Sequence, residues 1–255
     1  MDIARLHKYF LKKWRFPSGR VWKRKFEHDI LVPGPTKEKF TKIYKNNYWL
    51  STESVSGSGS TLKYTKNLRD HIPQIVDDFH ITSIFDGPCG DFNWMRQLLP
   101  DLLPGGHPVD YLGGDIVSEI IDDNNRRFRQ DGVRFIQIDI TSDELPKADL
   151  MICRDCLFHL SYEAIEAFKS NFLRSDIKFI LTANHINEPF RFNNRDIETG
   201  DFRLIDLFSP PFEFPHHPLR RIADWMPPEA EKEMCLWSRE QLLAAWPSLV
   251  SRTTP

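Results

Sequence analysis

The sequence predicts an α/β fold, a mostly parallel, doubly wound sheet with helices on both faces. Three observations carry that prediction. From residue 81 onward, short apolar runs alternate with stretches of helical pattern, the order that builds parallel sheets. The first run (Ile81 to Phe85) ends on Asp86 and turns through Gly87-Pro88-Cys89-Gly90-Asp91 toward Trp94-Met95-Arg96-Gln97-Leu98-Leu99. A strand, a glycine turn and a helix in that order set backbone N–H groups and a helix N-terminus against a ligand. Each later run also ends on polar residues: Asp115, Asp139, Arg154-Asp155 and Asn184-His185. Ligands of open α/β sheets bind beyond the carboxyl ends of the strands, so polar ends in register mark a candidate site.

Taken in order, Ile3, Leu6, Phe10 and Trp14 fall near helical spacing, with Arg5, Lys8, Lys12 and Lys13 between them. Residues 1–16 therefore predict a basic amphipathic helix, packed on its own domain, on a membrane surface or on a partner. Residues 1–50 form a basic extension, with thirteen Lys and Arg against four Asp and Glu. Val32-Pro33-Gly34-Pro35 breaks the pattern, and a helix resumes over Lys37 to Tyr44. Ser51 to Thr61 is rich in serine and glycine. Between Tyr48-Trp49 and a helix expected over Leu62 to Phe79, it reads as a ligand clamp more than a spacer.

The core is expected over residues 81–183 within a domain of residues 51–255. Strands are predicted at 81–86, Tyr111 to Ile116, Val133 to Ile138, Asp149 to Cys153 and Ile177 to Thr182. Helices are predicted at 92–99, Ser118 to Arg129 and Tyr162 to Leu173. Residues 184–235 are rich in aromatics and prolines, as in Pro210-Pro211-Phe212-Glu213-Phe214-Pro215. They read as a cover over the strand ends. Ser238-Arg239-Glu240-Gln241-Leu242 predicts a final helix capped by the serine.

Composition narrows the classes. A chain of 255 residues with 40% hydrophobic content and net charge −2 buries a substantial core and is no globally basic nucleic-acid binder. A basic arm on an acidic body predicts an anionic partner for the arm. No apolar run approaches the ~20 residues of a membrane span, and no signal peptide is evident. The four cysteines, Cys89, Cys153, Cys156 and Cys235, are expected to be reduced thiols in the cytoplasm. Cys153-Arg154-Asp155-Cys156 matches C-x-x-C, but it follows a strand and has no second ligand pair, so neither redox chemistry nor zinc is expected there. His216-His217 near Glu213 likewise lacks a second ligand group.

Asp86-Gly87-Pro88-Cys89-Gly90-Asp91, Tyr111-Leu112-Gly113-Gly114-Asp115-Ile116, Phe135-Ile136-Gln137-Ile138-Asp139-Ile140, and Ala148-Asp149-Leu150-Met151-Ile152-Cys153 followed by Leu157-Phe158-His159-Leu160 occur in order. Together they resemble a class I S-adenosylmethionine-dependent methyltransferase with a Rossmann-like sheet, over about two-fifths of the chain. Pro88 and Asp91-Phe92 stand where that family commonly has glycine. The Pro-Cys-Gly-Asp-Phe-Asn-Trp form, with Ser-Gly-x-Gly-Ser upstream and Gly-Asp-Phe-Arg downstream, resembles a bacterial subgroup found among surface-polysaccharide genes. A dinucleotide dehydrogenase would need G-x-G-x-x-G after the first strand, which Gly87 to Phe92 does not supply.

The resemblance implies S-adenosylmethionine as cofactor, with Asp115 at the ribose hydroxyls and Asp139 at the adenine amine. It implies a cofactor-binding set of Trp49, Ser60, Asp86, Gly87, Cys89, Gly90, Asp115, Ile116, Asp139, Ile140 and Arg154. Methyl transfer is an in-line displacement at a sulfonium, so alignment supplies much of the catalysis. An alcohol acceptor also needs a base. Asp155, His159 and His185 follow strands four and five, where the donor methyl would point; Asp155 is placed first by its nearness to the strand end. Arg191, Arg195 and Arg203 in the cover suit an anionic group. Asn193 and Arg203 are expected to bind the acceptor. That acceptor is expected to be a glycan or nucleotide-sugar precursor methylated on a hydroxyl. The alternatives are a small phosphorylated or amino metabolite, or a cofactor-binding module without activity. RNA is disfavoured by the acidic body and the lack of an Asn-Pro-Pro-Tyr type motif.

Overall fold

The computed structural model describes residues 34–102, 109–188 and 191–250. The helix expected at residues 1–16 and most of the basic arm, with any membrane or partner role, lie outside the described residues. Helix α1 (Thr36–Lys45) leads through Trp49 into the serine-glycine segment, and α2 (Lys66–Asp78) follows. The sheet then begins with β1 (Ser83–Asp86), α3 (Met95–Leu102), β2 (Asp110–Asp115), α4 (Ser118–Phe128) and β3 (Val133–Gln137). It continues with β4 (Leu150–Cys153), α5 (Tyr162–Arg174) and β5 (Phe179–His185). Strands β6 (Arg220–Ala223) and β7 (Lys232–Ser238) and helices α6 (Arg239–Ala245) and α7 (Pro247–Val250) complete it.

The strand order is β3-β2-β1-β4-β5-β7-β6. The first five strands pair in parallel, and β7 runs antiparallel between β5 and β6. The chain order reverses between β1 and β4, and that switch point opens the crevice used by ligands of such sheets. Strand β4 reads Leu-Met-Ile-Cys without alternation and is buried throughout, as expected of a strand covered on both faces. Phe85, Leu150, Met151, Ile152, Leu181 and Leu236 are fully enclosed, each stabilising the fold by about 1.5–3 kcal/mol of hydrophobic burial. Ser161 caps α5 by accepting from Ala164 N–H. Ser238 and Gln241 form a reciprocal capping box on α6.

Two expectations change. Strand five runs three residues beyond Thr182, so Asn184 and His185 sit within the strand and not after it. The cover expected at 184–235 is partly sheet: residues 220–223 and 232–238 supply the last two strands. The cause is nonlocal. Lys232–Ser238 pairs residue for residue with β5, placing Lys232 opposite His185 and Glu233 opposite Asn184. Met234-Cys235-Leu236-Trp237 is an apolar run like that of β4, but nothing local tells which strand it joins or in which direction.

Candidate active site

The loops at the carboxyl ends of β1 to β4, with α1 beside them, border an open cleft. Its floor is Asp86, Pro88, Cys89 and Gly90 from the first loop, and Asp115, Ile116 and Val117 from the second. Asp139, Ile140 and Thr141 form one wall, and Arg154, Asp155 and Cys156 another. Each acid is held by its neighbours. Asp115 Oδ2 accepts from Gly90 N–H at 3.1 Å, and Oδ1 from Val117 N–H at 2.9 Å. Asp139 Oδ1 accepts from the backbone and hydroxyl of Thr141 at 2.9 and 2.6 Å. Asp86 accepts from the Tyr111 hydroxyl at 2.8 Å. Burial pushes Asp86 up to about 7, against the pull of Tyr111 and Arg154. It pushes Asp115 up to about 6, against the backbone N–H groups of Val117, Gly90 and Ile116. Carboxylates kept so reluctantly ionised are primed for a cationic or hydroxyl-bearing ligand.

The serine-glycine segment is docked on the first loop. Asp91 accepts from Ser54 Oγ (2.8 Å), Val55 N–H (2.9 Å) and Ser56 Oγ (3.2 Å), and its own N–H donates to Ser56 Oγ (3.1 Å). Asn93 holds the far end through Ser60 O at 3.0 Å. Gly90 sits at φ +54, and a Cβ there would lie 2.1 Å from Ser56 Oγ, so only glycine permits this docking. Val55, Ser56 and Ser60 thereby line the cleft, as does Trp49. Gly87 differs from expectation. It does not line the cleft, and a Cβ there would meet Phe85 at 2.8 Å and Ile140 at 3.2 Å. It is small for packing beneath the loop.

A second open cleft adjoins the first and shares Trp49, Ser56, Asp155 and His159 with it. Its other walls include Tyr64, Phe158, His185, Phe202, Glu229 and Lys232. Trp49 and His159 stand at the junction with ring centroids 5.6 Å apart. Phe202 is 48% exposed at the mouth, an uncommon position for a large apolar ring.

Between the clefts lies a buried ion network. Arg154 makes a bidentate pair with Asp224 (2.9 and 3.0 Å) and donates to Gly59 O (2.8 Å). Lys232 Nζ bridges Asp155 (2.6 Å) and Asp224 (2.7 Å). Asp155, at φ +52, is thus gripped by Lys232 and by Arg154 at 3.3 Å. Although burial raises its proton affinity, Arg154 and Lys232 hold the carboxyl at about 2. Asp155 is therefore a weak base, and its expected first place among the three candidates is not supported.

The histidines differ in tautomer. His159 Nδ1 lies 2.7 Å from the carbonyl oxygen of Asp201. A carbonyl only accepts, so Nδ1 carries the proton and Nε2 keeps a free lone pair. Burial lowers the pKa of His159, which keeps that lone pair available at neutral pH. His185 Nδ1 accepts from Ile205 N–H at 3.2 Å, so in the neutral ring the proton sits on Nε2. Burial and the nearby Lys232 lower His185 to about 4.

The expected acceptor contacts fall elsewhere. Arg203 is 1% exposed; its guanidinium donates to Leu160 O at 2.6 Å and stacks between Tyr162 and Phe212. It anchors the cover and does not face the cleft. Asn193 is exposed and lines neither cleft. The cations that line the clefts, Arg154 and Lys232, are both spent on Asp155 and Asp224. These placements leave the expected anionic acceptor without a visible binding group among the described residues. Phe40, Tyr44, Cys156, Phe202, Glu229, Lys232 and Asp224 were not foreseen. Phe40 and Tyr44 had a local signal in the helical pattern of residues 37–44, Phe202 in the Gly-Asp-Phe-Arg segment and Cys156 in the C-x-x-C match, whereas Glu229, Lys232 and Asp224 had none. Among the described residues no cluster suits a metal ion, and no helix is long and apolar enough to cross a membrane.

Comparison with protein-family models and with curated proteins gave no match. Solved structures do match in fold. Human N-acetylserotonin methyltransferase in complex with S-adenosylmethionine superposes with a TM-score of 0.52 at 17% identity, covering 90% of this chain and 69% of that one. Magnesium protoporphyrin IX methyltransferase from Synechocystis PCC 6803 with the same bound cofactor gives 0.53 at 11% identity, over 82% and 99%. The methyltransferase domain of bacterial-CtHen1-C gives 0.51 at 12% identity, over 69% and 98%. The chain has the Rossmann-like fold of these S-adenosylmethionine-dependent methyltransferases.

Proposed function

We propose that the chain is an S-adenosylmethionine-dependent methyltransferase that methylates a hydroxyl of a glycan; among the described residues neither cleft leaves a lysine or arginine free for the diphosphate of a nucleotide sugar. The observation that carries the reading is the unprotonated Nε2 of His159 at the junction of two clefts. One cleft is edged by Asp86, Asp115 and Asp139, as a cofactor with an amine, a ribose and an adenine requires. The other is walled by aromatic rings and carboxylates. Aromatic faces stack on the apolar side of a sugar ring while carboxylates accept from its hydroxyls, and Trp49, Tyr64, Phe202, Asp155 and Glu229 supply both.

Asp86, Asp115 and Asp139 would hold the cofactor in the first cleft, and its sulfonium would supply the methyl group and leave as the thioether. His159 Nε2 takes the acceptor proton as the oxygen attacks, and Nδ1–H, bonded to Asp201 O, steadies the imidazolium that forms. The ion network of Arg154, Asp155, Asp224 and Lys232 keeps the walls in register and leaves the methyl transfer to alignment. The subgroup associated with surface polysaccharides fits this reading. The carboxylate rim also suits an amino metabolite, which is the second reading. The test is to incubate purified protein with methyl-labelled S-adenosylmethionine and fractionated envelope, nucleotide-sugar and amino-metabolite pools. Label in a saccharide fraction is expected; label confined to amino metabolites selects the second reading, and label in none refutes both.

A further inference from the structure

His185 lines the same cleft as His159, yet the proposed reaction leaves it without a role. Its placement is specific. It ends β5 opposite Lys232. It pairs twice with Ile205: its N–H donates to Ile205 O at 2.9 Å, and its Nδ1 accepts from Ile205 N–H. That second bond turns the ring so that the protonated Nε2 is the free edge. Nε2 has no hydrogen-bond partner, and it is not among the buried unsatisfied atoms, so it opens into the cleft. The ring packs against Phe158 at 5.2 Å and Phe202 at 6.1 Å. The His159 ring packs on the same two residues, at 4.7 and 5.9 Å. Two imidazoles on one aromatic pair thus present opposite characters to one ligand, a lone pair from His159 and an N–H from His185.

We infer that His185 binds the acceptor by donating from Nε2 to a second oxygen, beside the one that His159 deprotonates, so that the site selects acceptors with two oxygens on one ring or chain. The inference rests on the hydroxyl-methylation reading. The residue is 4% exposed, so an acceptor with a single oxygen would expel water and leave the N–H unpaired. Sites built around a buried polar partner reject analogues that lack it. Asp155 and Glu229 accept in the same cleft and cannot replace a donor.

Two measurements decide the matter. Nitrogen-15 correlation spectra of the histidine rings at pH 7 should show His185 protonated on Nε2 and His159 on Nδ1. His185 protonated on Nδ1, or as a cation, overturns the inference. The second measurement compares His185→Gln, His185→Asn and His185→Phe on the pool that the wild-type chain labels. Glutamine can place an N–H where Nε2 stood; asparagine and phenylalanine cannot. The acceptor KM should rise about tenfold or more for Asn and Phe and stay within about threefold for Gln, with kcat and cofactor affinity nearly unchanged. Equal losses in all three variants contradict donation from Nε2 and make the residue structural. If the wild-type chain labels no pool, the methyl-transfer reading fails, and the spectra still decide the tautomer of His185 by themselves.

Discussion

Asp86→Asn should make the protein more stable at pH 8 while weakening cofactor binding. Asp86 is enclosed at the end of β1, and burial lifts its carboxyl from the ordinary 3.8 to about 7. Below about pH 4 the group is protonated in both folded and unfolded chains. Between about pH 4 and 7 the folded state holds a proton that the unfolded state has released, so stability declines as pH rises through this window. Above pH 7 both states are ionised and the penalty is constant. At about 1.4 kcal/mol per pH unit the full penalty is about 4 kcal/mol, and relaxation of a buried site reduces it toward about 2. Asparagine cannot ionise, and its side-chain oxygen still accepts from the Tyr111 hydroxyl. Urea unfolding of both proteins from pH 4.5 to 8 should show the variant gaining about 2–4 kcal/mol at the alkaline end and nearly nothing at the acid end. A difference that does not change with pH, or a variant less stable at pH 8, refutes the reasoning.

Other outcomes follow from the same geometry. Asp115→Ala should weaken S-adenosylmethionine binding by roughly 1–3 kcal/mol by calorimetry, with the fold intact by circular dichroism. Cofactor affinity should rise from pH 5.5 to 8, because a cation favours the ionised forms of Asp86 and Asp115, whose pKa values are about 7 and 6; heats measured in buffers of different ionisation enthalpy should report proton release on binding. His159→Ala should lower turnover by about 10²–10⁴ and abolish an acid limb that lies below pH 6.5, whereas Asp155→Asn should retain that limb. Asp224→Ala leaves Arg154 and Lys232 sharing the single carboxylate of Asp155 and should cost about 3–5 kcal/mol of stability, read by urea unfolding. Gly90→Ala should undock the serine-glycine segment, seen as faster hydrogen exchange over residues 51–61.

The strands that carry the site were legible because each is a short apolar run ending on a polar residue, and burial of both sheet faces demands that pattern. Asp86, Gly90, Asp115 and Asp139 could be found because they sit at fixed places relative to their own strands. Residues whose roles depend on distant partners could not. Asp155 looked like a base at the end of strand four until Lys232, 77 positions away, closed on it. Arg203 looked like an anion fork, but the carbonyls it serves belong to residues 157 and 160. The tautomers of His159 and His185 are set by backbone atoms of Asp201 and Ile205, and no pattern of residue types encodes them. Strand β7 carries the same kind of apolar run, Met234 to Trp237 ending on Ser238, but its antiparallel place beside β5 depends on a distant partner and is not encoded locally.

Calorimetric titration of the purified chain with S-adenosylmethionine at pH 8 reads whether the cleft at the ends of β1 to β4 holds that cofactor. Saturable binding at one site per chain is expected, weakened by Asp115→Ala and by Asp86→Asn. No binding at millimolar cofactor, or binding indifferent to both substitutions, would contradict it.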